Sequence, residues 1–174
     1  MVGGTARGRP LVAPAGGRTR PTADRVREAI FNALWSRGAV EGARVVDLFA
    51  GSGALGIEAL SRGAAHATFV DRDRAARAAI VRNLDACGFA DRATVVTAPV
   101  ERFLDGLDER FDLAFCDPPY AWTGWPGLLA ARPAPLVVAE AGEPIAVPEG
   151  WELVREARYG AAWVGFLSAE PAGS

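Results

Sequence analysis

VVDLFAGSGALG, which spans residues 45–56, is the stretch that decides the fold. Its first half is an apolar run typical of a buried strand, and its second half carries the spacing G-x-G-x-x-G at Gly51, Gly53 and Gly56. An acidic residue, Asp71, follows Gly51 by twenty positions, at the end of the next apolar run. A strand, a glycine-rich turn, a helix and a later carboxylate are typical of a Rossmann-like unit that binds an adenosine-containing cofactor.

Three interpretations of this turn remain open. It could bind a nicotinamide dinucleotide, bind S-adenosylmethionine, or be a tight turn without a ligand. A nicotinamide dinucleotide would place an anionic pyrophosphate at the turn. S-adenosylmethionine would instead place a cationic sulfonium and an ammonium group there. Asp47 lies four residues before Gly51, near the end of the strand, where its carboxylate would repel the first ligand and attract the second. Asp47 therefore favours S-adenosylmethionine.

Strand and helix patterns alternate along the rest of the chain. Residues 1–21 are rich in Gly, Arg and Pro, and Leu11 and Val12 suggest a short hairpin or arm. A helix with Thr22 as its predicted N-cap follows, through about Trp35. The remaining predicted strands are 44–49, 67–70, 93–96, 113–116, 136–139, 152–156 and 162–167, and the remaining predicted helices are 54–61, 73–87, 100–107 and 125–131. Such repeated units predict an α/β domain whose mainly parallel sheet is covered on both faces and binds ligands beyond the carboxyl ends of its strands.

A second motif, FCDPPY at residues 115–120, ends another apolar strand on a carboxylate. Two adjacent prolines donate no backbone hydrogen bonds and hold an extended, stiff corner. Asp117 and the carbonyl of Pro118 then act only as acceptors, beside the flat ring of Tyr120. This arrangement suits a planar group that carries an NH2, although the residues alone also fit an ordinary strand-to-loop corner.

Composition and charge distribution bear on which partners, metals and cell compartments the protein could have. The 174 residues have a formal net charge of −2, but residues 1–37 hold seven arginines against two acidic residues, which indicates a polyanion contact. Two cysteines, Cys87 and Cys116, and one histidine, His66, do not suggest a disulfide framework or a metal site. We expect no leader peptide, no membrane span, no bound metal and a cytoplasmic location.

The two motifs together predict one reaction. A methyl donor on the first two strands and an amine-binding corner on the fourth indicate methyl transfer to an exocyclic amino group of a nucleobase. Acceptors at Asp117 and Pro118 would orient the amine, and Tyr120 would stack on the base. Transfer needs mainly alignment, because a sulfonium is an excellent leaving group.

These motifs resemble those of the bacterial ribosomal RNA small-subunit methyltransferase D family, whose members methylate N2 of one guanine in 16S ribosomal RNA. The resemblance rests on DLFAGSGALG at 47–56, EALSRGA at 58–64 and DPPY at 117–120. RPTADRVREAIFN at 20–32 strengthens it, since generic S-adenosylmethionine enzymes lack that stretch. The paired Gly3 and Gly4, the Gly8-Arg9 step and Tyr159-Gly160 also fit, so the resemblance covers residues 3 to 167.

The resemblance implies a Rossmann-like class I methyltransferase domain at 22–174, with seven strands of which the last is antiparallel, after a basic hairpin or arm at 1–21. It implies a catalytic set of Asp117, Pro118 and Tyr120, and a cofactor-binding set of Asp47, Phe49, Gly51, Gly53, Asp71, Arg72, Val100 and Asp117. Implied RNA contacts are Arg7, Arg9, Arg18, Arg20 and Arg25. The implied partners are 16S ribosomal RNA within the small subunit, and ribosomal proteins.

One departure from the family pattern concerns adenine. Pro99 stands where many relatives carry Asn or Asp, so the backbone amide of Val100 is the predicted adenine contact. Three alternatives stay open from the residues alone. They are an adenine- or DNA-directed amino methyltransferase, a ribosome-assembly factor that uses the fold without turnover, and a nicotinamide oxidoreductase.

Overall fold

The structure is a computed structural model that describes residues 1–16, 21–171 and 173. Its strands are β1 (Arg44–Leu48), β2 (His66–Asp71), β3 (Ala93–Thr97), β4 (Leu113–Cys116), β5 (Leu136–Ala141), β6 (Trp151–Tyr159) and β7 (Ala162–Ala169). Its α-helices are α1 (Pro21–Ser36), α2 (Ala54–Ser61), α3 (Arg74–Cys87), α4 (Val100–Asp105) and α5 (Trp125–Ala131). Every strand predicted from residue 44 onward is present, and a short 3-10 helix at Ala90–Arg92 was not predicted.

The strands form one seven-stranded sheet in the order β3-β2-β1-β4-β5-β7-β6. β1 to β5 run parallel, whereas β7 is antiparallel to both of its neighbours, β5 and β6. The predicted α/β class, the terminal hairpin and the antiparallel last strand are therefore confirmed. Successive strands are added toward one edge of the sheet from β1 to β3 and toward the other edge from β4 onward. In such sheets ligands bind at the boundary between the two halves, which here lies between β1 and β4. Asp47 on β1 and Asp117 directly after β4 both lie there.

Two cores cover the faces of the sheet. On one face, α1, α2 and α3 bury Phe31, Phe69 and Phe115, with the rings of Phe31 and Phe115 5.5 Å apart. On the other face, α4 and α5 bury apolar side chains that include Leu128 and Leu129. All four residues of β4 are buried, which explains its uninterrupted apolar sequence. The two cores fix the strand ends that carry the candidate site.

The first residues differ from the prediction. Residues 1–16 form turns and bends with no strand among them, so of the predicted hairpin or arm these described residues form no hairpin. Instead, the Glu58 carboxylate accepts hydrogen bonds from the amides of Val2 and Gly3, at 3.1 and 2.8 Å. The Ser61 hydroxyl accepts from the amide of Ala6 at 2.9 Å. These contacts join the segment to α2, because its glycine-rich backbone exposes amides that side chains of α2 satisfy.

Smaller differences lie at element ends. α1 begins at Pro21, so Thr22, the predicted N-cap, lies inside the helix. β5 continues to Ala141 and so includes Glu140, because β7 pairs with it along its whole length.

The predicted division of the chain at residue 21 stays a prediction, and Arg18 and Arg20 lie outside the described residues. Among the described residues, none of the helices combines the length and the hydrophobicity that a membrane span requires.

Candidate active site

The glycine turn between β1 and α2 has a backbone that few residues adopt. Gly51 and Gly53 have φ of 58° and 80°, in the left-handed region that favours glycine. A Cβ added to Gly53 would also lie 3.2 Å from the ring of Phe69. Phe49 has a φ of 59°, which is uncommon for a residue with a side chain and is typical of functional turns. The turn is held to β2, because the Gly51 amide donates to the Asp71 carboxylate at 3.0 Å.

Asp47 is a buried carboxylate at the base of this turn, only 1% exposed. It accepts one hydrogen bond, from the amide of Gly56 at 3.0 Å. Burial raises its pKa well above the ordinary value, and the nearby carboxylates of Asp117 and Asp71 add to the rise, while the Gly56 hydrogen bond opposes it. No arginine of the described residues forms an ion pair with Asp47. The carboxylate is thus placed to favour a cationic ligand.

A cavity of about 610 Å³, here called the cofactor cavity, opens beside the turn. Asp47, Phe49, Gly51 and Ser52 line one side, and Asp117 lines it as well. The opposite wall comes from the N-terminal segment and α1, through Met1, Val2, Pro10, Leu11, Ala13, Pro14, Ala23, Asp24 and Arg27. The predicted arm is therefore, in part, a wall of the cavity.

Asn83 of α3 joins the two walls. Its side-chain amide donates to the carbonyls of Val12 and Ser52, both at 2.9 Å, and its side-chain oxygen accepts from the Val12 amide at 2.7 Å. Asn83 is 1% exposed. A buried side chain that binds the N-terminal segment and the glycine turn at once fixes the width of the cofactor cavity.

The Asp117–Tyr120 corner lies beyond the end of β4. Asp117 is exposed and lines the cofactor cavity. Desolvation by the surrounding protein, and then the charge of Glu140, raise its pKa to about 7. Glu140 is adjacent because Cys116 pairs with Ala139 in the β4–β5 register. The Glu140 carboxylate accepts a hydrogen bond from the hydroxyl of Tyr120, while burial raises the pKa of Glu140.

The structure brings only some of the predicted cofactor residues together. Asp47, Phe49, Gly51 and Asp117 line the cofactor cavity. The other four lie outside its lining: Gly53 is the N-cap of α2, Asp71 accepts a hydrogen bond from the Gly51 amide, Arg72 is exposed, and Val100 is buried at the start of α4.

The predicted RNA contacts also differ in their surroundings. Arg7 and Arg25 are exposed, in the N-terminal segment and on α1. Arg9 is exposed too, but its guanidinium donates to the carbonyl of Ala86 at the end of α3. The roles of these arginines, and of the cofactor residues, remain predictions.

Sequence reasoning missed two residues of the site. Asn83 occupies the apolar stripe of α3, between Ala79 or Ile80 and Cys87, and a polar residue in such a stripe is a signal of a buried hydrogen-bonding role. Glu140 follows an apolar strand run, just as Asp47 and Asp117 do. The carboxyl ends of parallel strands meet at one edge, so Glu140 could have been placed beside Asp117.

The fold and the site define the class of protein. A parallel sheet with a reversed last strand, a glycine turn after β1 and a carboxylate corner after β4 are those of a Rossmann-like class I methyltransferase. Magnesium protoporphyrin IX methyltransferase from Synechocystis, solved with bound S-adenosylmethionine, shares this fold with a TM-score of 0.69 at 14% identity, over 88% of this chain and 86% of that chain. At that identity the similarity concerns the fold alone.

The family follows from closer similarities. The model of the family described as conserved hypothetical protein 95 matches residues 1–168. Ribosomal RNA small subunit methyltransferase D of Haemophilus influenzae is 32% identical in an alignment of 173 positions that covers 92% of this chain and 88% of that protein. An Escherichia coli structure, provisionally described as the methyltransferase yhhF, has a TM-score of 0.87 at 35% identity over 99% of this chain and 98% of that chain. The chain therefore belongs to the ribosomal RNA small-subunit methyltransferase D family, as the motifs predicted.

Two similarities are shorter. Ribosomal RNA small subunit methyltransferase D of Escherichia coli is 44% identical over 120 residues, which are 69% of this chain but only 59% of that protein. The alignment with a Bacillus subtilis relative likewise spans 66% of that relative's length. The matched part of the chain thus spans less than two thirds of these two curated relatives.

Proposed function

We propose that this chain transfers a methyl group from S-adenosylmethionine to the exocyclic N2 amine of a guanine in 16S ribosomal RNA. One observation carries the proposal: Asp47 and Asp117 line the same cavity, at the ends of adjacent strands. Asp47 is a buried carboxylate that suits a cation. Asp117 begins the corner at which its own carboxylate and the carbonyl of Pro118 are hydrogen-bond acceptors. A donor site and an acceptor site therefore adjoin.

The residues present fit S-adenosylmethionine. Asp47 would offset the positive charge of the methionine end, and the left-handed Gly51 allows the backbone to approach the ligand closely. A dinucleotide fits poorly, because its pyrophosphate would face Asp47 and Asp117 together. When bound, S-adenosylmethionine supplies an electrophilic methyl group on a sulfonium leaving group.

The Asp117–Tyr120 corner would bind the amine. The carboxylate of Asp117 and the carbonyl of Pro118 would accept hydrogen bonds from its two N–H groups, which orients the nitrogen lone pair toward the cofactor cavity. The proton that the nitrogen sheds on methylation would pass to Asp117 or to water. Tyr120, 52% exposed and held through its hydroxyl by Glu140, offers a fixed ring on which the base stacks. Correct alignment of the amine supplies most of the rate enhancement, since neither a metal nor a covalent enzyme intermediate is needed.

The substrate class comes from the family. The similar proteins of Escherichia coli and Haemophilus influenzae are named for methylation of small-subunit ribosomal RNA. The exposed Arg7 and Arg25 would contact RNA phosphates, and recognition within an assembled subunit would add ribosomal protein contacts. A cytoplasmic location follows from this substrate.

The test is methyl transfer from labelled S-adenosylmethionine to three substrates: unmodified small ribosomal subunits, naked 16S RNA and duplex DNA. Identification of the labelled nucleoside then decides the acceptor atom. We expect label in N2-methylguanosine, with the ratio between subunits and naked RNA reporting on ribosomal protein contacts. Label in adenine of DNA would overturn the substrate, and no transfer despite cofactor binding would favour an assembly factor. Binding of a nicotinamide dinucleotide in preference to S-adenosylmethionine would overturn the cofactor.

A further inference from the structure

A second cavity, of about 630 Å³, lies beside the Asp117–Tyr120 corner. Tyr120 lines it together with Trp122 and Trp125, while residues 141–146 form the facing wall. Asp117 lines the cofactor cavity and Tyr120 lines this second cavity, so the corner contributes a wall residue to each. A base stacked on Tyr120 would therefore occupy the second cavity while its amine reaches Asp117.

The walls of the second cavity are held in place by specific contacts. The indole N–H of Trp122 donates to the Glu101 carboxylate at 2.8 Å, and its ring packs edge-on against Phe49 and Trp125 at 5.0 and 5.1 Å. The ring of Tyr120 lies so close to Gly142 that a Cβ there would be 3.0 Å from Cδ2. A fixed aromatic cleft of this kind suits a flat ring.

Arg158 of β6 supplies the positive charge at this cavity, and Glu143, which also lines it, supplies a negative one. Arg158 is the one basic residue among the described residues that line the cavity. Its guanidinium donates to the carbonyl of Gly142 at 3.3 Å and to the carboxylate of Glu143 at 3.2 Å. A guanidinium has five N–H donors, so donors remain after these two contacts. The contacts orient Arg158 without exhausting it.

We propose that the second cavity holds the ring of the target guanine and that Arg158 selects guanine by donating hydrogen bonds to its O6 and N7 edge. This inference rests on the proposed function. Guanine combines N–H donors at N2, which match the acceptors of the Asp117 corner, with acceptors at O6 and N7, which match Arg158. Adenine presents an amine in place of O6, so a donor would face a donor. Arg158 is thus a specificity-determining residue.

The test compares Arg158→Gln with Arg155→Gln, which makes the same change in charge at an exposed position of the same strand outside the cavity. On unmodified small subunits we expect Arg158→Gln to lower kcat/KM about tenfold or more, the usual scale for loss of a bidentate guanine contact. Arg155→Gln should stay within about twofold of the parent, as surface changes usually do. The Kd for S-adenosylmethionine should be the same in all three proteins. Equal losses in both variants would overturn the inference.

A second substrate separates base selection from a general structural effect. Subunits whose target guanine is replaced by 2-aminopurine keep the exocyclic 2-amine but lack O6. The parent should methylate them about tenfold more slowly than guanine, whereas Arg158→Gln should treat the two bases alike. If the parent methylates guanine but Arg158→Gln still discriminates, this inference fails and the proposed function stands. If the parent methylates no guanine, both fail.

Discussion

Asn83→Ala should destabilise the protein and weaken cofactor binding together. The change removes three hydrogen bonds, one from the amide of Val12 and two to the carbonyls of Val12 and Ser52, at a position that is 1% exposed. At ~1 kcal/mol for each bond, with some buried partners left unsatisfied, the loss in the free energy of unfolding is about 2–4 kcal/mol. For a domain of this size, that corresponds to a fall in Tm of roughly 4–16 °C.

The assay pairs thermal unfolding by circular dichroism with calorimetric titration of S-adenosylmethionine. Because Asn83 fixes both walls of the cofactor cavity, we expect the Kd to rise about tenfold, which is a loss of ~1.4 kcal/mol in the free energy of binding. Asn32→Ala, on the exposed face of α1, is the matched control and should leave both quantities near the parent values. A Tm for Asn83→Ala within about 2 °C of the parent would refute the reasoning, since it would mean that these bonds contribute little.

Three further outcomes follow from the site and the core. Asp47→Asn should raise the Tm, because it removes a desolvated charge. The same change should weaken S-adenosylmethionine binding by roughly tenfold to a hundredfold, as measured by calorimetry. Unchanged affinity would contradict the role of Asp47. Gly56→Ala should cost about 1–3 kcal/mol in urea unfolding, because its Cβ would lie 2.4 Å from the buried ring of Phe69. The pKa of Asp117 is about 7 in the folded protein and 3.8 ordinarily. Between these two pH values the folded protein holds a proton on Asp117 that the unfolded chain has lost, so the free energy of unfolding falls as pH rises through this window. Urea unfolding of the ligand-free protein at pH 4.5 and 7.5 should show a smaller fall for Asp117→Asn than for the parent, and an equal fall would count against the raised pKa.

The sequence predicted the sheet well because its strands are short, apolar and separated by glycine-rich turns. β4 was predicted to the residue, since Asp112 and Asp117 bound a run of four buried apolar residues. β5 was predicted too short, because Glu140 looked like a strand end. Its continuation depends on pairing with β7, a contact distant in the chain that local pattern does not reveal.

The candidate site was predicted only in part, for a physical reason. Asp47 and Asp117 carry local signals, a carboxylate at the end of an apolar strand in each case. The N-terminal wall has no such signal, because Gly, Arg and Pro resemble a loose arm in composition while their backbone is bound by Glu58 and Asn83. The gap between that wall and the glycine turn depends on tertiary contacts, which a single sequence does not specify.

The most direct test of the central claim is the single-turnover rate of N2-methylguanosine formation on unmodified small subunits by the parent and by Asp117→Ala, with bound S-adenosylmethionine. The exposed Asp108→Ala variant serves as the control for loss of a carboxylate elsewhere. If the Asp117 corner aligns the amine, the rate for Asp117→Ala should fall about a hundredfold or more at a concentration of S-adenosylmethionine that saturates each protein. A rate equal to that of the parent would contradict the account.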